Sequence, residues 1–268
     1  MSNKISFLTE TKKQCLKTVL QLYKTANAGH IASSLSAMDI LVYLFFEKMS
    51  DEDSFVLSKG HAAAALFTVL AKLGRISEEK LVTFYREGTS LAAHPPCNGS
   101  IKDIPFGTGS LGHGLPLATG SSFSQKYTSK KSKVYCLLSD GDCNEGSTWE
   151  AALFAAQQKL DNLVVIVDYN LLQGFGYAKD VLNLESLAAK FEAFGFRTIE
   201  VENGNNFESL HKAFEQIEKT PIEQPTCIVA RTVKGSGVSF MENKLEWHYL
   251  PMTDEQYQQA MEEVEHYA

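Results

Sequence analysis

Two short, continuously apolar runs constrain the fold of this chain more than any other feature of its sequence. Residues 134–138 and 163–167 have the length and composition of buried strands, and the amphipathic pattern over residues 147–159 predicts a helix between them. Strands without a polar side are typical of parallel sheets that helices cover on both faces. The sequence therefore predicts an α/β fold, a doubly wound and mostly parallel sheet with helices on both faces.

The same alternation of strand and helix patterns extends along the rest of the chain. Further strands are predicted over residues 197–201 and 226–230, and further helices over residues 6–24, 37–47, 62–73, 78–86, 115–127, 185–194, 207–218 and 254–267. Ser147 and Glu150 form a capping box, which predicts that the helix after the first strand begins there. No repeat or long linker interrupts the pattern, so we predict a single domain over residues 1–268.

Composition and charge argue against several classes of function. The net charge of −7 leaves no basic surface for nucleic acid, and no apolar run reaches the roughly 18 residues that a membrane span needs. The N-terminus lacks the charged-then-apolar layout of an export signal. Five scattered cysteines without a Cys-x-x-Cys pair are typical of reduced thiols rather than of disulfides or a zinc site. We therefore expect a cytoplasmic protein that binds neither nucleic acid nor membranes.

Two polar loops directly follow the two apolar strands, and they carry the candidate metal ligands. Asp140 lies in the first loop, residues 139–146, and Asn170 lies in the second, residues 168–172. Because successive parallel strands joined by a helix end at the same edge of a sheet, both side chains should reach one crevice. A carboxylate, an amide oxygen and a loop carbonyl suit magnesium that is shared with a diphosphate. Each residue alone is equally compatible with an ordinary turn, but the pair favours a metal site.

The two loops together resemble a known motif. Ser-Asp-Gly-Asp-Cys-Asn-Glu-Gly at residues 139–146, followed by Asp-Tyr-Asn at residues 168–170, resembles the diphosphate-binding motif of thiamine diphosphate enzymes. That motif is Gly-Asp-Gly followed, roughly thirty residues later, by Asn. Further segments resemble the N-terminal half of transketolase, in its order and over nearly the whole chain: residues 28–36, 57–61, 93–95, 108–114, 149–152 and 237–242.

The resemblance to transketolase implies two cofactors, thiamine diphosphate and Mg²⁺ (or Ca²⁺ or Mn²⁺ in its place), and a set of residues that bind them. The implied metal ligands are Asp140, Asn170 and the backbone carbonyl of Leu172. The implied contacts to thiamine diphosphate are Gly109, Ser110, Leu111, Gly112, Gly141, Asp142, His61, Asn170 and His248. Glu145 is implied to lie at a subunit interface, in a carboxylate relay between paired active sites.

Five of the seven histidines fall in predicted loops, which indicates a site that needs several near-neutral donors. By the resemblance, four of them line the substrate channel, bind hydroxyls of the donor sugar and assist proton transfer: His30, His61, His94 and His248. Together with Glu145 these are the implied catalytic residues. Such donors would stabilise the negative charge that develops when a ketose carbonyl is attacked. The fifth, His113, is assigned only a supporting position beside the cofactor loop.

The chain departs from the transketolase pattern at several positions. Ser139 replaces the first glycine of the diphosphate motif, so its backbone must either adopt an ordinary φ or tolerate strain. Ala32 and Ser33 stand where small, glycine-like residues are usual, and Tyr249 stands where glycine is common. The changes at Ala32, Ser33 and Tyr249 lie towards the substrate side, so they bear on sugar specificity more than on cofactor binding.

Residues 107–112 spell Gly-x-Gly-x-x-Gly, the pattern of dinucleotide-binding folds, but without the context that this pattern needs. The preceding residues 101–106 make a poor strand, and Lys and Ser stand about twenty residues later, where an acidic residue should bind ribose. A nicotinamide enzyme is therefore disfavoured. We interpret the segment as a loop whose amides contact the thiamine cofactor, with a flexible turn as the alternative. Residues 174–176 are interpreted as a simple turn.

The resemblance also implies a partner. In transketolases a second domain, which holds the aminopyrimidine ring, and a third, C-terminal domain follow, and no segment of this chain resembles them. We therefore expect a separate C-terminal subunit and an α2β2 heterotetramer. The expected reaction is transfer of a two-carbon ketol unit from a ketose, expected to be phosphorylated, to an aldose, and only with that subunit present.

Other interpretations stay open at this point. A subunit of a deoxyxylulose-phosphate synthase-like or 2-oxo acid dehydrogenase-like enzyme would use the same cofactor, and a degenerate regulatory or assembly subunit would not be catalytic. The histidine-bearing loops and the contexts of Trp149 and Trp247 favour transketolase. The retained Asp140 and Asn170 argue against a degenerate copy. The donor ketose, the acceptor aldose and the metabolic role stay open.

Overall fold

Parallel strands form the central sheet of the computed structural model, which describes residues 2–97, 99 and 101–266. The strands, in chain order, are β1 (Ser54–Leu57), β2 (Val134–Ser139), β3 (Leu163–Tyr169), β4 (Leu172–Gln173), β5 (Gly176–Tyr177), β6 (Arg197–Val201) and β7 (Thr226–Arg231). Five of them form one sheet in the order β1-β2-β3-β7-β6, with every neighbouring pair parallel. The short strands β4 and β5 form a separate antiparallel hairpin. The predicted α/β fold with a parallel sheet is confirmed.

Helices connect the strands and cover the sheet. They are α1 (Ser2–Ala26), α2 (Ile31–Tyr43), α3 (Ala63–Lys72), α4 (Glu78–Leu81), α5 (Gly114–Tyr127), α6 (Gly146–Gln157), α7 (Ala178–Val181), α8 (Leu187–Ala193), α9 (Phe207–Lys219) and α10 (Asp254–His266). Short 3-10 turns at Gly60–Ala62, Gly141–Asn144 and Leu245–His248 lie next to the strand ends and loops described below. Residue 267, the last of the predicted C-terminal helix, lies outside the described residues.

Alternate side chains of each central strand enter two different apolar clusters. In β3, Leu163, Val165 and Val167 pack with α5, α6 and α8, whereas Val164 and Ile166 pack with α1, α2, α3, α9 and α10. All seven residues of β3 are buried. Burying one aliphatic side chain contributes about 1.5–3 kcal/mol. The continuous apolar runs in the sequence therefore follow from a sheet that is covered on both faces.

Helix α2 is buried along its whole length, and it begins earlier than the sequence pattern predicted. All thirteen residues are buried, and the helix starts at Ile31 rather than at residue 37. The Gly/Ser-bearing stretch looked like a loop because serine favours caps and turns. In the structure these small residues let α2 lie inside the protein, and its Ser34 hydroxyl is 2.8 Å from that of Tyr23.

Two further sequence predictions were wrong in detail. Strand β1 was not predicted, because only four residues pair with β2, and an acidic turn stands directly before them. The capping box at Ser147 and Glu150 does not form. Helix α6 begins at Gly146 with Glu145 as its cap residue, and the Ser147 hydroxyl instead donates to the Gly112 carbonyl at 2.8 Å.

The order in which the chain adds strands to the sheet reverses between β3 and β7. The chain adds β1, β2 and β3 side by side, then crosses to the edge strand β6 and returns with β7 beside β3. Ligands of open α/β sheets bind where the order reverses, outside the carboxyl ends of the strands. No helix within residues 2–97, 99 and 101–266 is both long and apolar enough to cross a membrane.

Candidate functional site

A cleft of about 210 Å³ lies at the carboxyl ends of β1, β2, β3 and β7. Each of these strands is followed directly by residues that line it: Lys59 and His61 after β1, Asp140 and Gly141 after β2, Asn170 and Leu172 after β3, and Lys234 after β7. Larger clefts of about 480 and 490 Å³ lie elsewhere on the described surface. We assign the site to the smaller cleft, because it combines buried charges with clustered histidines.

Asp140 and Asn170 meet in this cleft as predicted. Asp140 is 3% exposed, and its Oδ1 accepts a hydrogen bond from the Gly141 amide at 2.8 Å. Its Oδ2 is buried and accepts no hydrogen bond from the described residues. Burial raises the pKa of Asp140 to about 6. A buried carboxylate oxygen without a partner is costly, so this atom fits a cation that would approach from the cleft.

The backbone carbonyl of Leu172, the third predicted metal ligand, also faces the cleft. It accepts a hydrogen bond from Lys234 Nζ at 2.6 Å, and the same ammonium is 2.9 Å from His248 Nδ1. Burial lowers the pKa of Lys234 to about 8. A carbonyl oxygen has a second lone pair, so contact with Lys234 leaves it able to bind a metal.

Lys234 was not identified from the sequence, although a signal for it existed. It stands three residues after β7, in Val-Lys-Gly-Ser-Gly, and β7 lies beside β3 with its carboxyl end facing the cleft. Only the order of the strands reveals this, because β7 is inserted next to β3 after a crossing to the sheet edge. Ser33 was likewise treated only as a departure, yet its buried hydroxyl lines the cleft without a hydrogen-bond partner among the described residues.

Lys59 lines the cleft and forms a buried ion pair with Asp168 beneath it. We call these two residues, together with Lys234 and Asp140, the floor of the cleft. The ammonium of Lys59 contacts Asp168 Oδ2 and also donates to the Ser33 carbonyl at 3.1 Å. Ser36 Oγ donates to the same carboxylate at 2.7 Å. Although burial alone would raise it, contact with Lys59 and hydrogen bonds from Thr232 and Ser36 hold the pKa of Asp168 below its ordinary value. Asp168 therefore stays charged and fixes Lys59 under the cleft.

Asp142 lies behind the cleft rather than in it, which corrects its assignment as a cofactor contact. It is fully buried, and its carboxylate accepts hydrogen bonds from Ser58 Oγ (2.5 Å), the Gly112 amide (2.8 Å), and the amide and hydroxyl of Ser139 (both 2.8 Å). Asp142 thus ties together three loops around the cleft. The same bonds explain the departure at Ser139, which ends β2 as an ordinary strand residue and uses its hydroxyl to hold Asp142.

Of the four predicted cofactor contacts in the glycine-rich loop, two lie at the cleft. Gly109 and Leu111 line the cleft, whereas Ser110 is exposed and Gly112 turns away from the cleft. Gly112 has φ 78°, and a methyl group there would lie 2.4 Å from Glu145 Cβ. Residues 101–106, directly before this loop, contain no strand. The remaining predicted contact, Gly141, lines the cleft opposite Leu111.

The four predicted channel histidines cluster on one wall of the cleft. His30 is the centre of the cluster: its ring centroid lies 5.8 Å from that of His61, 6.1 Å from that of His94 and 5.0 Å from that of His248. His30 has a left-handed backbone, φ 73°, and its amide donates to the His248 carbonyl at 3.0 Å. His113 is exposed and does not line the cleft.

The histidine wall is neutral at physiological pH. Burial, followed by the positive charge of Lys234, lowers the pKa of His248 to about 3. Burial also lowers the pKa of His30, His61 and His94 below their ordinary value. Neutral imidazoles can both donate and accept hydrogen bonds. The wall therefore suits hydroxyl groups and a carbonyl oxygen better than a second anion.

Glu145 lies outside the cleft, exposed at the start of α6. This position is accessible to another chain, and the predicted place at a subunit interface stays a prediction.

Tyr249 stands at the mouth of the cleft, opposite the β4–β5 hairpin. Its hydroxyl donates to the Gly174 carbonyl at 2.9 Å, and its ring is 4.7 Å from that of His248. Gly174 and Phe175 form the turn between β4 and β5, as predicted, and both line the cleft. The departure from glycine at residue 249 thus adds an aromatic side to the entrance.

Comparisons with known proteins show which family this chain resembles. Residues 14–266 match a family profile described as "Transketolase, thiamine diphosphate binding domain". The chain is 38% identical over 257 residues to one subunit of the apulose-4-phosphate transketolase of Phocaeicola vulgatus, an alignment that covers 92% of this chain and 90% of that protein. It is 34% identical over 258 residues to the 6-deoxy-6-sulfo-D-fructose transketolase subunit SqwG of a Clostridium species, with 93% of each chain covered.

A solved structure shares the fold as well. The transketolase of Campylobacter jejuni aligns with a TM-score of 0.90 and 30% identity, over 97% of this chain and 43% of its own length. The chain therefore spans about two fifths of that transketolase.

Proposed function

The chain belongs to the family of the transketolase thiamine diphosphate binding domain, and from this premise we propose that it is the N-terminal subunit of a two-subunit transketolase. It would transfer a two-carbon ketol unit from a ketose to an aldose. The relatives that match it nearly end to end are named as subunits of transketolases, which supports a separate partner. The assembly would then be the α2β2 heterotetramer expected above.

The single observation that carries the proposal is that Oδ2 of Asp140 accepts no hydrogen bond from the described residues and lies in one cleft with Asn170 and Leu172. These three oxygen donors would hold Mg²⁺, which prefers oxygen ligands and is often shared with phosphate groups. Lys234 and Ser33 line the same cleft, and their ammonium and hydroxyl groups would bind diphosphate oxygens. Thiamine diphosphate, when bound, supplies the nucleophilic carbon and the electron sink for the reaction.

The histidine wall would handle the sugar. Neutral His30, His61, His94 and His248 can donate hydrogen bonds to the ketose carbonyl oxygen, on which negative charge develops, and to neighbouring hydroxyls. A neutral imidazole has one ring nitrogen that donates and one that accepts, so it can take a proton from one oxygen atom and give its other proton to a second one. We propose that these four side chains orient the ketose and shift protons, while the residues below them hold the diphosphate.

Calorimetric titration tests the proposal. The chain is mixed with the C-terminal transketolase subunit of the same organism and titrated with thiamine diphosphate, with Mg²⁺ or with excess chelator. We expect tight binding that needs the metal, and ketol transfer from a phosphorylated ketose only when both subunits are present. Absence of cofactor binding would favour a non-catalytic subunit, and turnover of pyruvate as the donor would favour another thiamine diphosphate enzyme.

A further inference from the structure

A short loop with the sequence Asn-Gly-Asn-Asn, residues 203–206, follows the edge strand β6 and lies against the end of β7. The Gly204 amide donates to the Arg231 carbonyl at 2.6 Å, and a methyl group on Gly204 would lie 2.8 Å from Thr232 Cγ2. Strands β6 and β7 are parallel neighbours, so the loop packs closely against the residues that lead from β7 to Lys234.

The three asparagines of this loop differ in what their side chains bind. Asn203 Oδ1 accepts a hydrogen bond from the Asn205 amide at 3.1 Å, and Asn206 Oδ1 caps α9 by accepting one from the Ser209 amide at 2.9 Å. Bonds of this kind are usual for asparagine in turns and at helix starts. The side chain of Asn205 bonds instead to residues that are between 28 and 169 positions away. The turn itself does not need these bonds.

Both ends of the half-buried Asn205 amide are used. Its Oδ1 accepts a hydrogen bond from the Val233 amide at 2.8 Å. Its Nδ2 donates to the Ser36 carbonyl and to Asp39 Oδ2, both at 3.1 Å. The partners determine the orientation of the amide, because a backbone N–H only donates and a backbone carbonyl only accepts. Asn205 therefore joins the buried helix α2 to the segment that follows β7.

Asp39, the charged partner of Asn205, is fixed by a buried ion pair. Lys12 Nζ on α1 donates to Asp39 Oδ1 at 2.8 Å, and the two side chains are 5% and 1% exposed. One carboxylate oxygen thus faces Lys12 and the other faces Asn205. Because separating a buried ion pair is strongly unfavourable, Asp39 has little freedom to move. The pair therefore fixes the position of the Asn205 amide.

The bond from Asn205 to the Val233 amide holds the residue directly before Lys234, whose side chain belongs to the floor of the cleft. On the other side of Lys234, the Gly235 amide donates to the Ala32 carbonyl at 3.0 Å. The backbone that carries Lys234 is therefore tied to α2 on both sides, directly through Gly235 and through the Asn205 side chain at Val233.

The other arm of Asn205 leads to the second cation of the floor. Ser36, whose carbonyl accepts from Asn205, donates its hydroxyl to Asp168 at 2.7 Å, and Asp168 pairs with Lys59. Asn205 itself does not line the cleft, and it reaches both cations through these neighbours. Its place is behind the proposed diphosphate site rather than in it.

We propose that Asn205 is a positioning residue for the diphosphate site, and that it acts by fixing the backbone that carries Lys234. This inference rests on the proposed function, because the diphosphate is taken from there. A cation that is already fixed loses less conformational freedom when it binds an anion, so pre-organisation increases affinity. Asn205 should therefore contribute to the affinity for thiamine diphosphate and leave the chemistry on the sugar unchanged.

Separate measurement of cofactor affinity and maximal rate provides the first test. Asn205→Ala is combined with the C-terminal subunit of the same organism and titrated with thiamine diphosphate at saturating Mg²⁺. We expect the dissociation constant to rise by about 5–10-fold, the effect of one net hydrogen bond. The maximal rate of ketol transfer at saturating cofactor should stay within about 2-fold, because the bond acts on binding alone. Asn205→Ser, which keeps one hydroxyl, should have an affinity between these two proteins.

Asn206→Ala is the matched control, because it removes an asparagine from the same loop that does not reach the segment after β7. It loses the cap of α9 and should therefore be less stable, while its dissociation constant for thiamine diphosphate stays within about 2-fold of the unaltered chain. Thermal unfolding without cofactor is measured for all variants. A loss of affinity that follows stability would appear in Asn206→Ala as well.

A double variant examines whether Asn205 acts through Lys234. In a chain that already carries Lys234→Met, the further change Asn205→Ala should alter cofactor affinity by less than about 2-fold, because the group that Asn205 positions is gone. A role in general stability would instead lower affinity by the same factor with and without Lys234. Titration to millimolar thiamine diphosphate measures both cases.

The outcomes separate this inference from the one on which it rests. Equal affinity of Asn205→Ala and the unaltered chain would overturn the positioning role and leave the proposed function standing. An equal loss in the presence and absence of Lys234 would do the same. Failure of the unaltered chain to bind thiamine diphosphate with its partner subunit would overturn the proposed function, and the positioning role with it.

Discussion

The floor and the histidine wall of the cleft differ in charge although they lie close together. The floor keeps four charged groups buried, Lys59 with Asp168 and Lys234 near Asp140. The wall consists of histidines whose burial keeps them neutral. Fixed charges suit a metal and a diphosphate, and neutral donors suit a sugar. One cleft can therefore divide the binding of the cofactor from the chemistry on the substrate.

Removing a charge from the floor should have the largest effect, and that effect is on the stability of the folded chain. In Lys59→Met, Asp168 loses its cation but stays buried, and breaking a buried pair in this way costs about 3–5 kcal/mol. We expect urea unfolding to show a loss of this size. Lys126→Met breaks an ion pair that is partly exposed on both sides and should change stability little. The double variant Lys59→Met/Asp168→Asn should recover part of the loss, and a loss equal to the sum of those in Lys59→Met and Asp168→Asn would mean that the pair is not coupled.

The next largest effect is expected on metal-dependent binding of the cofactor. Asp140→Asn keeps the shape of the side chain but removes the proposed metal ligand. Mutation of a residue that only hydrogen-bonds to a metal ligand weakens metal binding by about 10–100-fold. Loss of a ligand itself should therefore weaken metal-dependent binding of thiamine diphosphate by at least about 100-fold. Calorimetry with the partner subunit present measures this, and Asp161→Asn, on an exposed loop, is the control.

Stability measured without metal provides an independent check on Asp140. Burial raises the pKa of Asp140 in the folded chain to about 6, above the value of an unfolded Asp, so ionised Asp140 opposes folding at higher pH. Without metal and well above that pKa, Asp140→Asn should therefore be at least as stable as the unaltered chain. A clear loss of stability would show that the carboxylate has a structural partner instead.

The sequence predicted which loops line the cleft better than it predicted the strand order and the side-chain directions within those loops. Asp140, Asn170 and the four histidines were found because their loops follow buried strands or carry motif residues. Lys234 was missed, because its place beside β3 depends on the crossing from β3 to β6 and back to β7. Asp142 was misassigned, because a motif identifies a loop but not the side of the loop to which each carboxylate turns.

Helix starts were wrong where tertiary contacts outweighed local propensity. Ser147 has the sequence of a capping residue, yet its hydroxyl donates to the Gly112 carbonyl and helps hold the glycine-rich loop. The start of α2 was placed late because its small polar residues favour loops in isolation, whereas here they are buried between α1 and α3. Local pattern therefore predicted which elements exist, and long-range packing decided where they begin.

The wall can be examined through the pH dependence of stability. The pKa of His248 is about 3 in the folded chain, below its ordinary value of 6.5, so the unfolded chain binds a proton that the folded chain does not. Stability from this group is fully present above pH 6.5 and is lost progressively as the pH falls towards 3. We expect His248→Gln to lose less unfolding free energy than the unaltered chain when the pH falls from neutral into this window. His266→Gln, on the exposed end of α10, is the control, and equal slopes in all three proteins would contradict the prediction.

The smallest effect concerns the contact between the two regions. Lys234 Nζ lies 2.9 Å from His248 Nδ1, and after burial its charge is the largest cause of the low pKa of His248. Replacing it in Lys234→Met should raise the pKa of His248 part of the way towards its ordinary value, because burial remains. Titration of the imidazole signals by NMR measures this, with the exposed Lys179→Met as the matched control. An unchanged pKa would mean that the wall is neutral through burial alone, and that floor and wall are electrostatically independent.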